Sequence, residues 1–271
     1  MGPHTSRTIK PNELRKPIVT TTSIIKKESK LEPTSPESAE SADDQPVQLI
    51  TNISDVDFTR EYHGVEGSEY FLPSDVDEQD RLELQHYLLR HLFKGDIVRK
   101  DIKESLAKPG SKILDVGCAN GWWLDSVSKV YTSAEFYGVE HRQQQQDLAE
   151  SVIEKAKKLF PTAVFTVGNV VTGLPFEDNT FDVVHQRFLC LGLPTHDFPV
   201  AIRELMRITK PGGWIELVEL DITGYRHGPI AKKLQEAFNA VLAPRKLDLL
   251  AGTNLVNYVA IASKKQKPRV H

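Results

Sequence analysis

A run of small residues between two acidic side chains has the spacing of a ligand-binding loop. The run follows Asp115 and places small residues at Gly117, Ala119 and Gly121, the first, third and fifth positions of the loop. Small residues allow a backbone to approach a ligand closely. The carboxylate of Asp115 can accept a hydrogen bond from a cationic amine. The run therefore predicts a site in which a ligand lies directly against the backbone.

A phosphate-binding loop of the dinucleotide type is the alternative for this segment. Such a loop requires Gly-x-Gly-x-x-Gly, whereas the sixth position here holds Trp122. A bulky indole disfavours the close packing of helix on strand that the third glycine permits. An acidic residue within the loop also suits a pyrophosphate poorly. The spacing therefore favours an uncharged nucleoside over a dinucleotide.

A second acidic residue, Glu140, ends the next apolar run, 25 positions after Asp115. A carboxylate in that place can accept hydrogen bonds from both hydroxyls of a ribose. Nucleoside sites and dinucleotide sites share this arrangement. Glu140 therefore indicates a ribose without identifying the ligand that carries it.

The segments that position these residues alternate between short apolar runs and helical patterns. Apolar residues at helical spacing predict helices over 77–93, 142–160 and 198–209, the first with Ser74 as its N-cap and Gly95 as its stop. Apolar runs predict strands at 112–116, 136–140, 163–167, 181–185 and 214–220. Strands that alternate with helices form parallel βαβ units. We therefore predict a three-layer α/β fold with a mostly parallel sheet.

Composition narrows the class of protein further. The 271 residues are 39% hydrophobic and 26% charged, with a formal net charge of −3. That charge gives no general attraction to nucleic acid or to an anionic membrane. No apolar run reaches the roughly 20 residues of a membrane span, and the start of the chain lacks a signal-peptide core. Two cysteines, Cys118 and Cys190, fit a reducing compartment, so we expect a cytoplasmic or nuclear protein.

Four segments together resemble the class I S-adenosylmethionine-dependent methyltransferases. Residues 113–121 look like motif I, 138–140 like motif II, 174–185 like the strand-four region and 205–219 like the strand-five region, in matching order and spacing. Residues 70–75, 78–86 and 252–255 are similar to fungal methyltransferases, a group that includes proteins resembling a regulator of secondary metabolism. The resemblance covers roughly residues 58–260. It implies a Rossmann-like fold and S-adenosylmethionine as the cofactor.

The resemblance divides the chain and assigns its site. Residues 1–55 are expected to be a disordered tail, 56–105 a helical cap, 106–263 the cofactor-binding methyltransferase domain and 264–271 a basic tail. The implied cofactor-binding residues are Asp115, Gly117, Cys118, Ala119, Gly121, Glu140, His141, Asn169, Val170 and Gln186. No His/Cys cluster has metal-ligand spacing, so no metal is expected.

His185, at the end of the fourth strand, is the candidate catalytic base. The alternative, which we favour, is that His185 packs or forms a hydrogen bond beneath the methionine part of the cofactor. Cys118 lies within the loop, where it could act as a packing residue or as a nucleophile. We favour the packing role.

Three departures from the family pattern bear on function. Ala119 replaces the middle glycine of motif I, and Asn169 stands where the family commonly has an acidic residue. Asn169 can still accept a hydrogen bond from the adenine amino group through its side-chain carbonyl. After Tyr258 no pair of strand-like runs remains, so strands six and seven of the usual fold are expected to be missing.

The missing strands leave the strand at 214–220 in need of cover, because it has the composition of an interior strand. Cover is expected from residues 255–261, from the N-terminal region or from a second chain, and we expect self-association or a protein partner at this edge. The function expected is methyl transfer to an unidentified small-molecule or protein acceptor. The alternative is a cofactor-binding regulatory protein with little or no activity. A dinucleotide oxidoreductase is disfavoured by the glycine spacing.

Overall fold

The computed structural model describes residues 18–23, 60, 72–73, 75–141, 154, 156–158, 160, 162–223 and 228–264. Its strands are β1 (Ile18–Ser23), β2 (Lys112–Val116), β3 (Glu135–Glu140), β4 (Ala163–Val167), β5 (Phe181–Arg187) and β6 (Thr209–Glu219). Its helices are α1 (Val76–Phe93), α2 (Lys100–Leu106), α3 (Trp122–Ser128), α4 (Phe198–Ile208), α5 (Pro229–Leu242) and α6 (Ala251–Ser263). Short 3₁₀ turns lie at Leu189–Leu191 and Ala243–Arg245.

The six strands form one parallel sheet in the order β1-β6-β5-β2-β3-β4. All five strands expected from the apolar runs are present. The chain winds outward in one direction from β2 through β3 and β4, and in the other direction through β5 and β6. The carboxyl ends of β2 and β5 therefore flank the place where strand order reverses, which is where open α/β sheets bind ligands.

Apolar side chains cover both faces of the sheet and confirm the three-layer α/β prediction. On one face α4 and α6 pack on the sheet through a cluster that includes Ile202, Leu205 and Leu255. On the other face α2 and α3 pack through a cluster that includes Leu106 and Leu124. Burial on both faces explains why the strands read as continuous apolar runs rather than as alternating ones.

The N-cap of helix α1 lies one residue later than predicted, at Asp75, and the helix begins at Val76. The side chain of Asp75, not Ser74, accepts a hydrogen bond of 3.0 Å from the Glu78 backbone N–H and so satisfies one of the free donors of the first turn. At the other end Lys94 adopts a left-handed φ of 57°, and the Gly95 N–H donates to the Arg90 carbonyl at 2.9 Å. The stop predicted at Gly95 is therefore confirmed, with Lys94 taking the left-handed position.

The predicted helix over 142–160 lies mostly outside the described residues, of which Glu154 and 156–158 are helical. Most of the predicted tail over 1–55 and all of the basic tail after Lys264 also lie outside them. Beyond β6, the described ranges 220–223 and 228–264 contain helices and turns and no further strand.

Strand β1 covers the edge of β6 with a segment of the same chain. It pairs in parallel along β6, from Ile18 opposite Trp214 to Ser23 opposite Glu219. Two of the three covers that the sequence allowed are present: the N-terminal region supplies β1, and α6, which contains residues 255–261, contacts both strands. The six residues of β1 differ from the predicted disordered tail, because Ile-Val-Thr-Thr-Thr is a β-branched run whose strand propensity the surrounding polar composition concealed.

Removing β1 should expose the backbone of β6 as a free edge. We expect a chain that lacks residues 1–23 to self-associate, since unpaired strand edges recruit other strands. A chain that lacks only residues 1–16 keeps β1 and should sediment as the full chain does. Sedimentation velocity over a range of concentrations is the measurement. Identical sedimentation of the two truncated chains would show that β1 does not protect this edge.

Candidate functional site

The small-residue loop joins β2 to α3 through three left-handed backbone positions. The φ angles are +73° at Gly117, +44° at Ala119 and +79° at Gly121. The N–H groups of Gly117 and Cys118 both donate to the Val139 carbonyl, at 2.9 and 3.2 Å, so the loop is held against β3. A left-handed alanine costs about 1 kcal/mol that glycine avoids. The glycine that the family commonly has at position 119 would avoid this conformational cost.

Side chains already fill the space beside two of the glycines. A Cβ atom on Gly117 would lie 2.6 Å from the Leu189 Cδ2 atom, and one on Gly121 would lie 2.9 Å from the Phe160 ring and 3.0 Å from the Phe165 ring. These glycines are therefore required by protein packing as well as by backbone angle. A larger residue at Gly117 meets Leu189 first, not the ligand space that the sequence suggested.

Glu140 ties the end of β3 to the loop. One carboxylate oxygen accepts a hydrogen bond of 2.7 Å from the Ala119 N–H, and the other accepts one of 3.0 Å from the His141 N–H. Burial raises the pKa of Glu140, and the two backbone donors oppose that rise. Burial lowers the pKa of the neighbouring His141. Each oxygen keeps a lone pair, so the carboxylate is still able to accept ribose hydroxyls.

Asp115 is a buried carboxylate without a hydrogen-bond donor among the described residues. Burial raises its pKa, and the neighbouring His185 and Arg187 side chains act in the opposite direction. A buried carboxylate ordinarily has a partner, because an unpaired one is costly. The side chain of Asp115 therefore fits a ligand that brings a cationic amine, as S-adenosylmethionine does.

His185 lies beside Asp115 in the parallel register, and Glu216 lies beside His185 on the other side. The Nδ1 atom of His185 is 3.1 Å from a Glu216 carboxylate oxygen, and the imidazole stacks on the Trp123 indole with centroids 3.8 Å apart. Only 2% of the side-chain surface of His185 is exposed, and its Nε2 atom has no partner in the described part of the chain. This burial speaks against His185 as a base for an incoming acceptor and favours the packing role.

The remaining predicted cofactor-binding residues differ in their surroundings. The side-chain carbonyl of Asn169 accepts a hydrogen bond of 2.8 Å from the Val171 N–H, so the group expected to meet adenine already stabilises the turn after β4. Val170 and Gln186 are buried, and the Gln186 Oε1 atom has no partner among the described residues. Cys118 is buried in the core, and burial raises the pKa of its thiol, as fits a packing residue.

The cap helix α1 contributes His86, which sequence reasoning did not single out. Its Nε2 atom is 2.8 Å from the Ser126 Oγ atom of α3, and its Nδ1 atom is 3.4 Å from an Arg187 nitrogen. A guanidinium can only donate, so Nδ1 accepts and Nε2–H donates to Ser126. Burial first, then the charges of Arg187 and Arg90, lower the pKa of His86 to about 4. Neutral His86 therefore joins the cap to α3 and to the end of β5.

Glu219, also missed, holds the loop after β5 in place. Its two carboxylate oxygens accept hydrogen bonds from the N–H groups of Leu189 and Cys190, at 2.9 and 3.2 Å. Burial raises the pKa of Glu219 to about 7. An acidic residue within an apolar run was the available signal, because such a residue must find donors from a neighbouring segment.

Two negative results complete the description of the site. Within the described ranges no group of three or more His, Cys, Asp or Glu side chains is arranged to hold a metal ion. Among the same residues, no helix is both long and apolar enough to cross a membrane.

The raised pKa of Glu219 predicts a pH-dependent stability. The folded chain keeps a proton that the unfolded chain releases above the usual carboxyl pKa of 4.5. The free energy of unfolding should therefore fall as the pH rises from about 5 to about 7, by at most about 1.4 kcal/mol per pH unit. Glu219→Gln should flatten this slope by up to about 1 kcal/mol per unit.

Urea unfolding at several pH values measures the slope. Glu236→Gln, which alters an exposed carboxylate on α5, is the matched control and should keep the slope of the unchanged protein. Equal slopes for the Glu219 and Glu236 variants would contradict a shifted pKa at Glu219.

Known proteins with similar sequences share the part of the chain that forms this site. Residues 113–213 match the family described as methyltransferase domain. The N-methyltransferase tcpN of Claviceps purpurea is 29% identical over 66% of this chain and 59% of its own length. The N-methyltransferase sirN of Leptosphaeria maculans is 31% identical over 56% of this chain and 50% of its own length.

The secondary metabolism regulator laeA of Coprinopsis cinerea is 31% identical over 58% of this chain and 37% of its own length. The chain thus spans about half the length of the curated relatives it matches. The matched region contains the loop, both acidic residues and strands β3, β4 and β5. Through residues 113–213, the chain is therefore similar to S-adenosylmethionine-dependent methyltransferases.

Proposed function

We propose that this chain transfers a methyl group from S-adenosylmethionine to an acceptor nitrogen. The observation that carries the proposal is the pair of carboxylates, Asp115 and Glu140, on either side of a backbone loop at the reversal of strand order. Asp115 has no hydrogen-bond donor among the described residues and so fits a cationic amine. The other has lone pairs left for two hydroxyls.

The residues of the loop would hold the cofactor at three places. Asp115 would bind the ammonium of the methionine part, the backbone from Gly117 to Gly121 would lie along it, and Glu140 would bind the ribose. His141, Asn169, Val170 and Gln186 remain proposed contacts. The bound cofactor supplies a methyl group already activated by its sulfonium, so the protein chiefly has to position the acceptor and exclude water.

A nitrogen acceptor is supported by two observations. The relatives tcpN and sirN are named N-methyltransferases. In addition, the candidate base His185 is buried between Trp123 and Glu216. A neutral amine is nucleophilic without prior deprotonation, so this chemistry does not require a base at the moment of transfer.

A second candidate function is regulation through cofactor binding with little or no transfer. The similarity to proteins named secondary metabolism regulators supports it. So does Asn169, whose side-chain carbonyl is engaged in its own turn. The two functions share the cofactor site and differ in turnover.

Calorimetric titration with S-adenosylmethionine, S-adenosylhomocysteine and NAD tests the cofactor, and methyl transfer tests the enzyme. We expect the two adenosyl ligands to bind and NAD not to bind. Isotope-labelled methyl groups should then enter nitrogen atoms of compounds in a cell extract. Asp115→Asn keeps the size of the side chain and removes its charge, so it is the matched inactive variant. Binding without transfer would favour the regulatory alternative, and no binding would refute both.

Glu140→Ala should weaken S-adenosylmethionine binding at least roughly tenfold. Charge-assisted hydrogen bonds contribute about 1.5–3 kcal/mol, and each 1.4 kcal/mol changes a dissociation constant about tenfold. Glu135→Ala, at the exposed start of the same strand, should leave the affinity unchanged. Titration calorimetry gives both dissociation constants. Equal affinities for the two variants would argue against a ribose contact at Glu140.

A further inference from the structure

Arg187 lies at the carboxyl end of β5, and its guanidinium has few hydrogen-bond partners among the described residues. Within the part of the chain that the structure describes, its guanidinium makes one hydrogen-bond contact, a long one of 3.4 Å with the Nδ1 atom of His86. No carboxylate of the described residues lies within ion-pair distance of it. Arginine has five N–H donors and stays charged in proteins. A half-buried guanidinium with one weak partner is therefore suited to receive an anion from outside the protein.

The register of the sheet places Arg187 near Asp115. Asp115 and His185 are direct partners in the β2–β5 pairing, so their side chains share one face of the sheet. Arg187, two residues beyond His185, returns to the same face one step closer to the carboxyl edge. The mutual influence of the two charges agrees with this placement, because Asp115 acts on Arg187 and Arg187 acts on Asp115.

One unpaired negative group and one underbonded positive group thus border the start of the loop. An α-amino acid carries the complementary pair, an ammonium and a carboxylate joined through one carbon. We propose that Arg187 binds the carboxylate of the methionine part of the cofactor while Asp115 binds its ammonium. This inference rests on the proposed function and adds to it a binding residue and the charge pattern that is recognised.

Neighbouring groups leave the carboxylate role to Arg187. His86 is held neutral with its only basic nitrogen directed at Arg187. Arg90 is engaged with Asp96, at 3.3 Å. His185 is directed at Glu216. Lysine and arginine differ here, since a guanidinium matches a carboxylate with two parallel hydrogen bonds.

Three ligands separate the parts of the amino acid. S-adenosylhomocysteine carries both charges, its decarboxylated analogue keeps only the ammonium, and methylthioadenosine carries neither. The unchanged protein should bind S-adenosylhomocysteine at least roughly tenfold more tightly than the decarboxylated analogue. In Arg187→Met that ratio should fall to about one, while the affinity for methylthioadenosine stays the same. Arg187→Lys should give a ratio between the two.

Arg90→Met is the matched control, because it removes an arginine of the same cluster and should preserve the ratio. Equal binding of S-adenosylhomocysteine and its decarboxylated analogue by the unchanged protein would overturn the inference without any variant. An unaltered ratio in Arg187→Met would also overturn it, and would leave a carboxylate of the acceptor as the remaining use of Arg187. Loss of methylthioadenosine binding in that variant would mean a structural role instead. If the unchanged protein binds none of the three ligands, the proposed function fails as well.

Discussion

Parallel pairing places three ionisable side chains in one row across the middle of the sheet. Asp115 on β2, His185 on β5 and Glu216 on β6 are register partners, so they share a face and are buried together. Strand β5 lies between β2 and β6, so the His185 imidazole separates the two acidic side chains. The same row fixes the loop, which starts two residues after Asp115, and so the position of the site depends on this register.

The row also determines how the cap is attached. Trp123 covers the His185 ring and donates its indole N–H to the Asp96 carbonyl at 3.0 Å, just after α1 ends. His86 then links α1 to Ser126 and to Arg187. Polar groups that surround the site therefore help to hold the cap, beside apolar side chains such as Ile97 and Ile102 that pack with α3. Any ligand that binds Asp115 or Arg187 changes the charges around these links.

Much of the fold could be predicted because its signals are local. The strands at 112–116 and 163–167 were predicted with the observed bounds, since each is a short apolar run closed by polar or small residues. The small-residue loop was also recognisable, and its left-handed angles at Gly117 and Gly121 explain the spacing. The end of α1 near Gly95 could be predicted for the same reason, because glycine adopts backbone angles that other residues avoid.

Other features depend on partners far away in the chain, so no local pattern could reveal them. Strand β1 is a strand because β6 offers it an edge almost two hundred positions later. The burial of His185 depends on which face the register assigns to it. Glu219 looked like an ordinary interruption of an apolar run until the loop after β5 supplied its two N–H donors. The sequence suggested that the side-chain carbonyl of Asn169 was available for adenine, whereas in the structure it accepts a hydrogen bond from the Val171 N–H.

The pairing of β1 with β6 has a consequence for how the chain matures on the ribosome. Synthesis proceeds at roughly 5–20 residues per second, so β1 emerges on the order of ten to forty seconds before its partner. During that interval it has no template and must stay out of other pairings. Once β6 is made, closing so large a loop is slow compared with local helix formation. Docking of the N-terminal strand is thus expected to be the final event of assembly, after the cofactor site has already taken shape.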